Sequence, residues 1–549
     1  MRDQATFSRR EFVAMAVGAA GGMVSGCVTP PYWYWEEVQS TEAAPIVIIG
    51  SGVTGLCLGG LLARAGHSVV ILESHPSLIG GHARVLEVGG LAFSAGPQYV
   101  WHFGQDDIGS RVLHYLGDAT RVPFESMDPD GFDNIISDDA LPFAVPLGIH
   151  RWKEALVSRH PEAENSIERF FEIYDALWQG LRVVYDQGLY LQSVADMWAA
   201  VFLSPHVSAY AKDIMNKCVT WTLNELFDRC EVPVPVRRLL YGQAGLFAEN
   251  TNAVSAAVYV AATAQLLEGA SFPSNGFGSL LEYLTGACTS NGGAIHLGKR
   301  VTRLRVDGKR VREVQCADGT KVPCGFVVST LAPGLTCSFF SEPNAYRLGR
   351  YEPSRSAVSC FFTVSNYDDV ASQLAGRNYW YEASGGETDF TPTDVSRPPS
   401  YLYIGSNTAN SPSLSAGAPG LHGLTVCAPG SFGAWEQAWA KGESHYADAK
   451  EQAALGVIDA LERALLPNVG THVEESKVLT PYDLHLEIGC DRGAVYGRRL
   501  TPGSVLEAAT PRFNVENIAI GCAAVGLPGV AVCFKTASLL FESLTGCQV

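Results

Sequence analysis

The chain has 549 residues, of which 47% are hydrophobic and 17% are charged, and its formal net charge is −17. This composition can fill a large core and excludes a disordered or fibrous protein. Because so acidic a surface repels a phosphate backbone, and no long stripe of lysine or arginine offsets it, nucleic-acid binding is not expected. The length suggests roughly two to four domains of about 150 residues each.

The 14 cysteines run from Cys27 to Cys547 and mostly stand inside apolar stretches. The sequence has no CxxC, no HExxH and no cluster of cysteine and histidine at zinc-binding spacing. We therefore expect most of the cysteines to be small buried hydrophobic residues, and we expect no metal site.

The first residues predict an export signal. Arg9 and Arg10 precede a weakly apolar run, 13–24, which is too short to span a bilayer core of about 30 Å. This pattern is typical of bacterial twin-arginine export, and the run ends in Val24-Ser25-Gly26-Cys27, which resembles a lipobox. We predict a lipoprotein-type signal over 1–27 that is read by the twin-arginine export machinery; the alternative is an ordinary cleavable signal with an incidental cysteine.

The predicted mature protein starts at Cys27, the predicted lipidation site, followed by a tether over 28–44. The tether contains Tyr32-Trp33-Tyr34-Trp35, aromatic residues of the kind that rest at a membrane interface. We expect a location on the periplasmic or cell-envelope side, with the lipid anchor on a membrane surface. Since twin-arginine export carries folded proteins, the route suits a protein that acquires a cytoplasmic cofactor first.

A dinucleotide-binding motif follows the tether. The β-branched run Pro45–Ile49 predicts a strand buried on both faces, and it leads into Gly50-Ser51-Gly52-Val53-Thr54-Gly55. An apolar helix over 56–65 and a second strand over 68–72 come next, and the second strand ends at Glu73. A GxGxxG between strand and helix, with an acid about 20 residues further on, predicts dinucleotide binding.

Each residue type in this motif has a physical role. Gly50 permits the tight turn, Gly52 lets the backbone approach a pyrophosphate, and Gly55 lets the helix close on the strand. The helix N-terminus then presents its amides to the phosphates. Glu73 can accept hydrogen bonds from the ribose hydroxyls, and no arginine stands beside it to bind a 2′-phosphate.

Two later segments carry a family resemblance. Gly80-Gly81-His82-Ala83-Arg84 and the run 93–100, of the form F-x-x-G-P-x-Y-V, resemble the flavoprotein amine oxidase superfamily, and within it phytoene desaturases, carotenoid isomerases and retinol saturases. The resemblance implies FAD, not NAD, as the cofactor. It also implies an α/β fold in which a Rossmann-type, GR2-like FAD-binding domain is interleaved with a mixed α+β substrate domain.

The resemblance continues in order to about Gly546. It includes the turn and helix over 269–280, where Asn275 replaces a glycine, the segments 433–450 and 480–497, and the strand 517–522, where Cys522 replaces an acid. Between 294 and 329, alternating stretches separated by Asp-Gly turns predict a β-meander. The implied domains are 45–104, 270–340 and 490–549 for FAD binding, and 105–269 and 341–489 for the substrate.

The resemblance and the motif together give the expected cofactor site. Its residues are Gly50, Gly52, Val53, Thr54, Gly55, Glu73, Ser74, Gly80, Gly81, His82, Ala83, Gly96, Pro97, Gln98, Val301, Gly521, Cys522, Gly529 and Val530. The expected substrate pocket is apolar and aromatic: Tyr99, Trp101, Phe103, Trp221, Phe247 and Leu527. The candidate proton handlers are His102, Tyr241 and Glu249.

A flavin beside an apolar pocket can desaturate, saturate or isomerise a double bond. We therefore expect an FAD-dependent oxidoreductase acting on an apolar unsaturated lipid, such as a carotenoid, a retinoid-like polyene or a fatty acid. An amine or amino-acid oxidase is the alternative enzyme. A flavoprotein that binds a lipid or a partner without turnover is the alternative of another class. The sequence leaves the electron acceptor open.

Overall fold

The computed structural model describes residues 44–188, 194–342, 345–348, 352–383, 388–506 and 511–549. The predicted signal, Cys27 and all of the tether except its last residue lie outside these ranges. Within them, no helix combines the length and apolarity that a membrane crossing requires. The 13 cysteines in these ranges are all free, and eight of them are buried.

The strands are short and spread along the chain. In order they are β1 (Ile46–Ile49), β2 (Val69–Leu72), β3 (Val85–Val88), β4 (Leu91–Ser94), β5 (Phe124–Ser126), β6 (Asp133–Ser137), β7 (Ala140–Val145), β8 (Ser271–Pro273), β9 (Ala294–His296), β10 (Val301–Asp307), β11 (Arg310–Cys316), β12 (Lys321–Pro323), β13 (Phe326–Ser329), β14 (Tyr346–Arg347), β15 (Ser356–Ser365), β16 (Asn378–Glu382), β17 (Tyr401–Gly405), β18 (Leu421–Gly430), β19 (Val473–Leu479), β20 (Arg512–Phe513) and β21 (Ile518–Ile520).

The α-helices lie mostly between the strands. In order they are α1 (Val53–Arg64), α2 (Ile108–Leu116), α3 (Ile149–Arg159), α4 (Glu164–Asp186), α5 (Val194–Leu203), α6 (Ala209–Cys218), α7 (Leu223–Arg229), α8 (Val234–Leu240), α9 (Ala256–Glu268), α10 (Gly276–Thr289), α11 (Pro333–Ser338), α12 (Asp369–Leu374), α13 (Asn407–Asn410), α14 (Phe432–Ala440), α15 (Glu443–Ala464), α16 (Pro481–Ile488), α17 (Pro502–Leu506) and α18 (Val530–Thr545).

A parallel sheet organises the first part of the fold. In the described ranges its strand order is β21-β13-β1-β2-β9, and every neighbouring pair is parallel. All four residues of β1 are buried, as predicted for a strand covered on both faces. The structure confirms the predicted strand–turn–helix–strand order, with α1 from Val53 to Arg64 and β2 ending just before Glu73.

Helix α1 packs tightly because of its small residues. Every residue of α1 except Arg64 is buried, and α10 and α18 pack against it. A Cβ added at Gly59 would lie 2.7 Å from Cδ1 of Ile71, and one added at Gly60 would lie 3.1 Å from Cδ2 of Leu116. These glycines therefore let α1 lie close to β2 and α2, and the resulting apolar core fixes α1 and its N-terminus relative to the sheet.

The predicted meander over 294–329 is only partly correct. Strands β10, β11 and β12 form an antiparallel sheet, but β9 and β13 at the two ends join the parallel sheet. The reason is burial: all four residues of β13 are buried, which suits a central strand covered on both faces. The antiparallel sheet is thus inserted between two strands of the parallel one.

The described chain also contains a seven-stranded sheet, three two-stranded sheets (β3-β4, β5-β8 and β14-β20) and a helical layer. The seven-stranded sheet has the strand order β19-β15-β18-β17-β16-β6-β7. One aromatic-rich core packs among α3, α4, α7 and α9, and another lies between the sheet and α15. The predicted domain limits stay a prediction, but the parallel sheet draws its strands from 46–72, 294–329 and 518–520, so the chain passes between the two sheets repeatedly.

Candidate active site

A cavity of about 560 Å³ is lined by residues from both sheets. One end is formed by the turn after β1, the end of β2 and the segments 80–84 and 522–533. The other end is formed by aromatic residues of β16 and β17 and by α9. The two ends differ in chemistry: the first is the glycine end, and the second is the aromatic end.

The backbone at the glycine end has a shape that lets a phosphate group approach it closely. Gly50 has φ of +102°, which L side chains rarely adopt, and an added Cβ at Gly55 would lie 2.2 Å from the carbonyl oxygen of Gly50. At Gly52, by contrast, no heavy atom lies within 4 Å of an added Cβ. The N-terminus of α1 therefore faces open space in the cavity, as a phosphate group requires.

Glu73 is held rigidly at the end of β2. Its Oε2 accepts from the backbone N of Ser51 at 3.0 Å and from the Ser51 hydroxyl at 2.6 Å, and its Oε1 accepts from the backbone N of His75 at 2.7 Å. The carboxylate is buried yet lines the cavity. The Ser51 and Ser74 hydroxyls both donate to this carboxylate, Ser74 at 3.3 Å. Because a hydroxyl rotates freely, ribose hydroxyls can take their place, so Glu73 fits the predicted role of accepting from the ribose.

Further observations at this end fit a dinucleotide. An added Cβ at Gly96 would lie 2.6 Å from the carbonyl oxygen of His82, so the backbone there is also close-packed beside the cavity. The buried Arg84 lines the cavity and pairs with Glu487 at 2.6 Å, but its Nε has no hydrogen-bond partner among the described residues. A cationic side chain with a free donor suits an anionic, oxygen-rich cofactor. The sequence motif contains Arg84, but motif reasoning did not select it.

His82 and Cys490 meet beside this end of the cavity. The Cys490 Sγ lies 3.1 Å from Nε2 of His82, which also contacts the Ala494 carbonyl oxygen at 3.2 Å. Burial lowers the pKa of His82 to about 4 and raises the pKa of the Cys490 thiol to about 12. Both groups are therefore neutral at physiological pH, and neither adds a charge to the cofactor site.

The structure brings most of the predicted cofactor residues to the cavity wall. The lining includes Gly50, Gly52, Val53, Thr54, Glu73, Ser74, Gly80, Gly81, His82, Ala83, Gly96, Pro97, Gln98, Val301, Cys522, Gly529 and Val530. Gly55 and Gly521 are not in the lining. Both lie behind it, where a side chain would meet the Gly50 carbonyl or the side chain of Leu540.

The aromatic end is almost free of charge. The predicted pocket residues Tyr99, Trp101 and Phe247 line the cavity, as does Leu527 from the 522–533 segment of the glycine end. Sequence reasoning missed five aromatic residues that join them in the lining: Trp380, Phe390, Tyr401, Tyr403 and Tyr496. Such a wall suits an apolar ligand with extended unsaturation.

A buried carboxylate orders this wall. Asp133 is fully buried and accepts from Tyr99 Oη at 3.1 Å, from Asn378 Nδ2 at 2.9 Å and from Gln243 Nε2. Tyr403 in turn donates to Asn378 Oδ1 at 2.8 Å. Burial raises the pKa of Asp133 and holds the pKa values of Tyr99 and Tyr403 well above the usual range, so both phenols stay neutral.

The structure does not place His102 on the cavity. His102 has a φ of +59°, and its Nδ1 lies 3.9 Å from Oε2 of Glu268 and 4.0 Å from Oδ1 of Asp107. Its ring stacks on Tyr185. Because the left-handed backbone turns the side chain away from the wall, the proposal of His102 as a proton handler is not supported.

Tyr241 and Glu249 also lie outside the lining. Tyr241 donates to the carbonyl oxygen of Glu249 at 2.7 Å and stacks on Phe247. The Glu249 carboxylate is 1% exposed and pairs with Arg355 at 3.1 Å and with Arg499. Both residues join segments of the fold, and neither faces a space where a substrate would react.

Two predicted pocket residues are structural instead. Phe103 is buried between Phe124 and Phe534, in the core under the parallel sheet. Trp221 packs against the helical core, with the guanidinium of Arg229 4.1 Å from its ring centroid. Neither residue lines the cavity, so the prediction of both as pocket residues is wrong.

The parallel sheet, the glycine turn and the aromatic pocket that continues from it define an FAD-dependent oxidoreductase. Residues 53–337 match the family model described as flavin containing amine oxidoreductase. The chain belongs to this family, with FAD as its cofactor, and within it the chain is phytoene desaturase-like.

Three similar proteins illustrate the match. The phytoene dehydrogenase of Streptomyces griseus is 26% identical over 92% of this chain and 96% of its own length. The all-trans-retinol 13,14-reductase of Danio rerio is 20% identical over 86% of this chain and 79% of its own length. A solved structure of putrescine oxidase has a TM-score of 0.57 and 14% identity, covering 92% of this chain and 99% of its own, and shows the shared fold.

We predict that Gly52→Trp folds but does not hold FAD. Gly52 has φ of −62°, which any residue adopts, and open space beyond its Cβ position, so the indole would occupy the phosphate site. The purified variant should lack flavin absorption while its circular dichroism matches the native spectrum. Gly286→Trp, at an exposed glycine with equal free space, is the control and should keep its flavin. Normal flavin content in Gly52→Trp would contradict the placement.

We predict that Glu249→Gln lowers the free energy of unfolding by about 2 kcal/mol, because it leaves Arg355 and Arg499 without a buried counter-charge. Urea denaturation measures this effect. Glu352→Gln, which removes a more exposed partner of Arg499, should cost less than about 1 kcal/mol. A Glu249→Gln protein of native stability that has lost turnover would restore a catalytic role for Glu249.

Proposed function

We propose that the protein acts on carbon–carbon double bonds of an apolar unsaturated lipid. The observation that carries this proposal is the continuity of the aromatic end with the glycine end in a single cavity. A polyene or an unsaturated acyl chain has no polar group near the reacting carbons, so it needs a pocket that binds by apolar contact. Carotenoids, retinoid-like polyenes and fatty acids meet this description.

The bound flavin supplies hydride acceptance or donation, so desaturation, saturation and isomerisation all fall within its chemistry. The residues of this chain bind and orient the lipid and exclude water. Phe247, Trp380 and Tyr401 give the wall large rigid faces, and the hydrogen bonds of the tyrosine hydroxyls fix those faces. The relatives named as phytoene dehydrogenase and retinol reductase support the same substrate class.

The alternative of amine oxidation has less support in this pocket. An ammonium group is usually held by a carboxylate or by an aromatic face. Among the described residues, the acids that line the cavity are Glu73 and Asp491. Glu73 belongs to the glycine end, and Asp491 follows Cys490, which contacts His82 of that end. The aromatic end therefore has no carboxylate in its described lining, although its rings would accept a cation.

An anaerobic titration tests the proposal. Purified protein should be yellow, and its flavin absorption should bleach or shift with at least one of phytoene, all-trans-retinol and oleic acid. Benzylamine and putrescine should leave the spectrum unchanged. Bleaching by the amines, with hydrogen peroxide on re-oxidation, would indicate the oxidase instead. A spectrum that none of these compounds changes would indicate a binding protein without turnover.

We further propose that the protein is exported by the twin-arginine route and anchored by a lipid at Cys27. The support is the sequence alone: Arg9 and Arg10 before a short apolar run that ends in a lipobox-like segment. Twin-arginine export suits a flavoprotein because it carries folded proteins. A lipid anchor suits it because an apolar substrate resides in a membrane. One acyl chain gives only marginal attachment, so stable anchoring requires a second chain or contact.

We predict that replacing both Arg9 and Arg10 by lysine leaves the precursor in the cytoplasm, because the export machinery reads the guanidinium pair. Cell fractionation and immunoblotting measure the distribution. Arg2→Lys, a change of the same kind outside the pair, should be exported normally. Undiminished export of the double variant would remove the twin-arginine proposal and leave the flavin chemistry untouched.

A further inference from the structure

One face of the seven-stranded sheet forms part of the cavity wall. On the adjacent strands β15 and β18, the side chains of Ala357, Ser359 and Cys427 are half-buried and line the cavity. Their neighbours Val358 and Val426 are buried in the core that lies between the sheet and α15. Because successive side chains of a strand point to opposite faces, these strands present one face to the core and the other to the cavity.

Four side chains stand side by side across the cavity face. Trp380 of β16 is directly opposite Tyr403 of β17, and Tyr403 is directly opposite Cys427 of β18. Cys427 is in turn opposite Ser359 of β15, and its Sγ lies 3.4 Å from the Ser359 Oγ. All four residues line the cavity. Since neighbouring strands lie about 4.8 Å apart, this row is about 14 Å long, and it begins at the aromatic end.

Strand β15 connects the row to the glycine end. The strand begins at Ser356, whose Oγ donates to the carbonyl oxygen of Gly493 at 2.7 Å. The carbonyl oxygen of the next residue, Ala494, lies 3.2 Å from Nε2 of His82, which belongs to the glycine end. Ser356, Ala494 and His82 all line the cavity. The side of the row that Ser359 forms is therefore the side that continues towards the glycine end.

Side-chain size changes along the row. The lining residues of β16 and β17 are aromatic, and Trp380 and Tyr403 are only 4% and 6% exposed. The residues that β15 and β18 contribute to the lining are all short: Ser356, Ala357, Ser359, Cys427, Ala428 and Pro429. Burial raises the pKa of the Cys427 thiol to about 11, so this side chain is a neutral thiol and not a nucleophilic thiolate. The room over this half of the row is therefore set by the size of Cys427 and Ser359.

We propose that Cys427 and Ser359 form a passage through which the lipid chain extends from the aromatic end towards the glycine end, which holds the cofactor. This inference rests on the proposed function and identifies two residues that control it. The aromatic rings bind one part of the chain by apolar contact, and the short side chains leave room for the next part to continue. A bulky side chain at either position would let the lipid bind at the aromatic end and stop short of the flavin. Both residues are therefore specificity-determining through their size.

The test separates binding of the lipid from its arrival at the flavin, using the holoenzyme. Retention of phytoene, all-trans-retinol and oleic acid on gel filtration measures binding, and the anaerobic change in flavin absorption measures arrival. Cys427→Phe should retain lipid and flavin like the native protein, but its flavin absorption should change at least about tenfold more slowly. Ser359→Leu should have the same effect, because the two side chains are in contact, and it decides the test if the phenylalanine variant does not fold.

Two further variants show whether side-chain size is the cause. Cys427→Ser keeps the side chain small and should restore the flavin response. Cys547→Phe, the same substitution at an exposed cysteine, is the control and should behave like the native protein. A Cys427→Ser protein that responds as slowly as Cys427→Phe would assign the effect to the thiol and overturn the inference.

The other outcomes also overturn the inference, each in a distinct way. Loss of flavin from both bulky variants would assign the space over the row to the cofactor. Loss of lipid retention together with the flavin response would make the row part of the binding wall and not a passage. An unchanged flavin response in both variants would place the path of the lipid elsewhere. The proposed function would stand in these three cases, and it fails itself if no compound changes the flavin absorption of the native protein.

Discussion

The contact between Gly55 and the carbonyl oxygen of Gly50 is the constraint on which the site depends. With no Cβ at position 55, α1 starts directly above the end of β1, and its first amides face the cavity. The same turn sets Ser51 beside Glu73, so the phosphate-facing and ribose-facing groups are fixed together. Packing of α10 and α18 on α1 then makes the arrangement rigid.

The cavity combines two environments that need different forms of support. Its glycine end uses backbone shape, one buried arginine and one tethered glutamate. Its aromatic end uses side-chain volume. The buried Asp133, which does not line the cavity, accepts directly from Tyr99 and reaches Tyr403 through Asn378. A polar network behind an apolar wall keeps the wall ordered without exposing an apolar ligand to charge.

The sequence predicts the local parts of this fold well. The first strand, the glycine turn, α1 and Glu73 are contiguous, so one motif defines them, and the structure confirms that order. The aromatic end is different. All five residues of β17 and three of the five of β16 are buried, so hydrophobic alternation does not show which side chains face the cavity. Asp133 and its partners at 243 and 378 are distant in sequence, so no local pattern connects them.

His102 shows that a residue close in sequence to cavity residues need not line the cavity itself. It follows Tyr99 and Trp101, which do reach the cavity, but its positive φ turns its ring towards Glu268. A left-handed residue other than glycine leaves no clear mark in a sequence. Cys522 is the opposite case, since it departs from the family pattern and still lines the cavity.

The order of the strands also bears on biosynthesis. Strand β21, the edge of the parallel sheet, and helix α18, which covers α1, lie between residues 518 and 545, far along the chain from the glycine turn. A nascent polypeptide therefore displays its glycine turn early but completes the wall around it only after α18 has been translated. We consequently expect coenzyme capture to follow synthesis of α18, and a product truncated before α18 would carry the motif without the complete cavity wall.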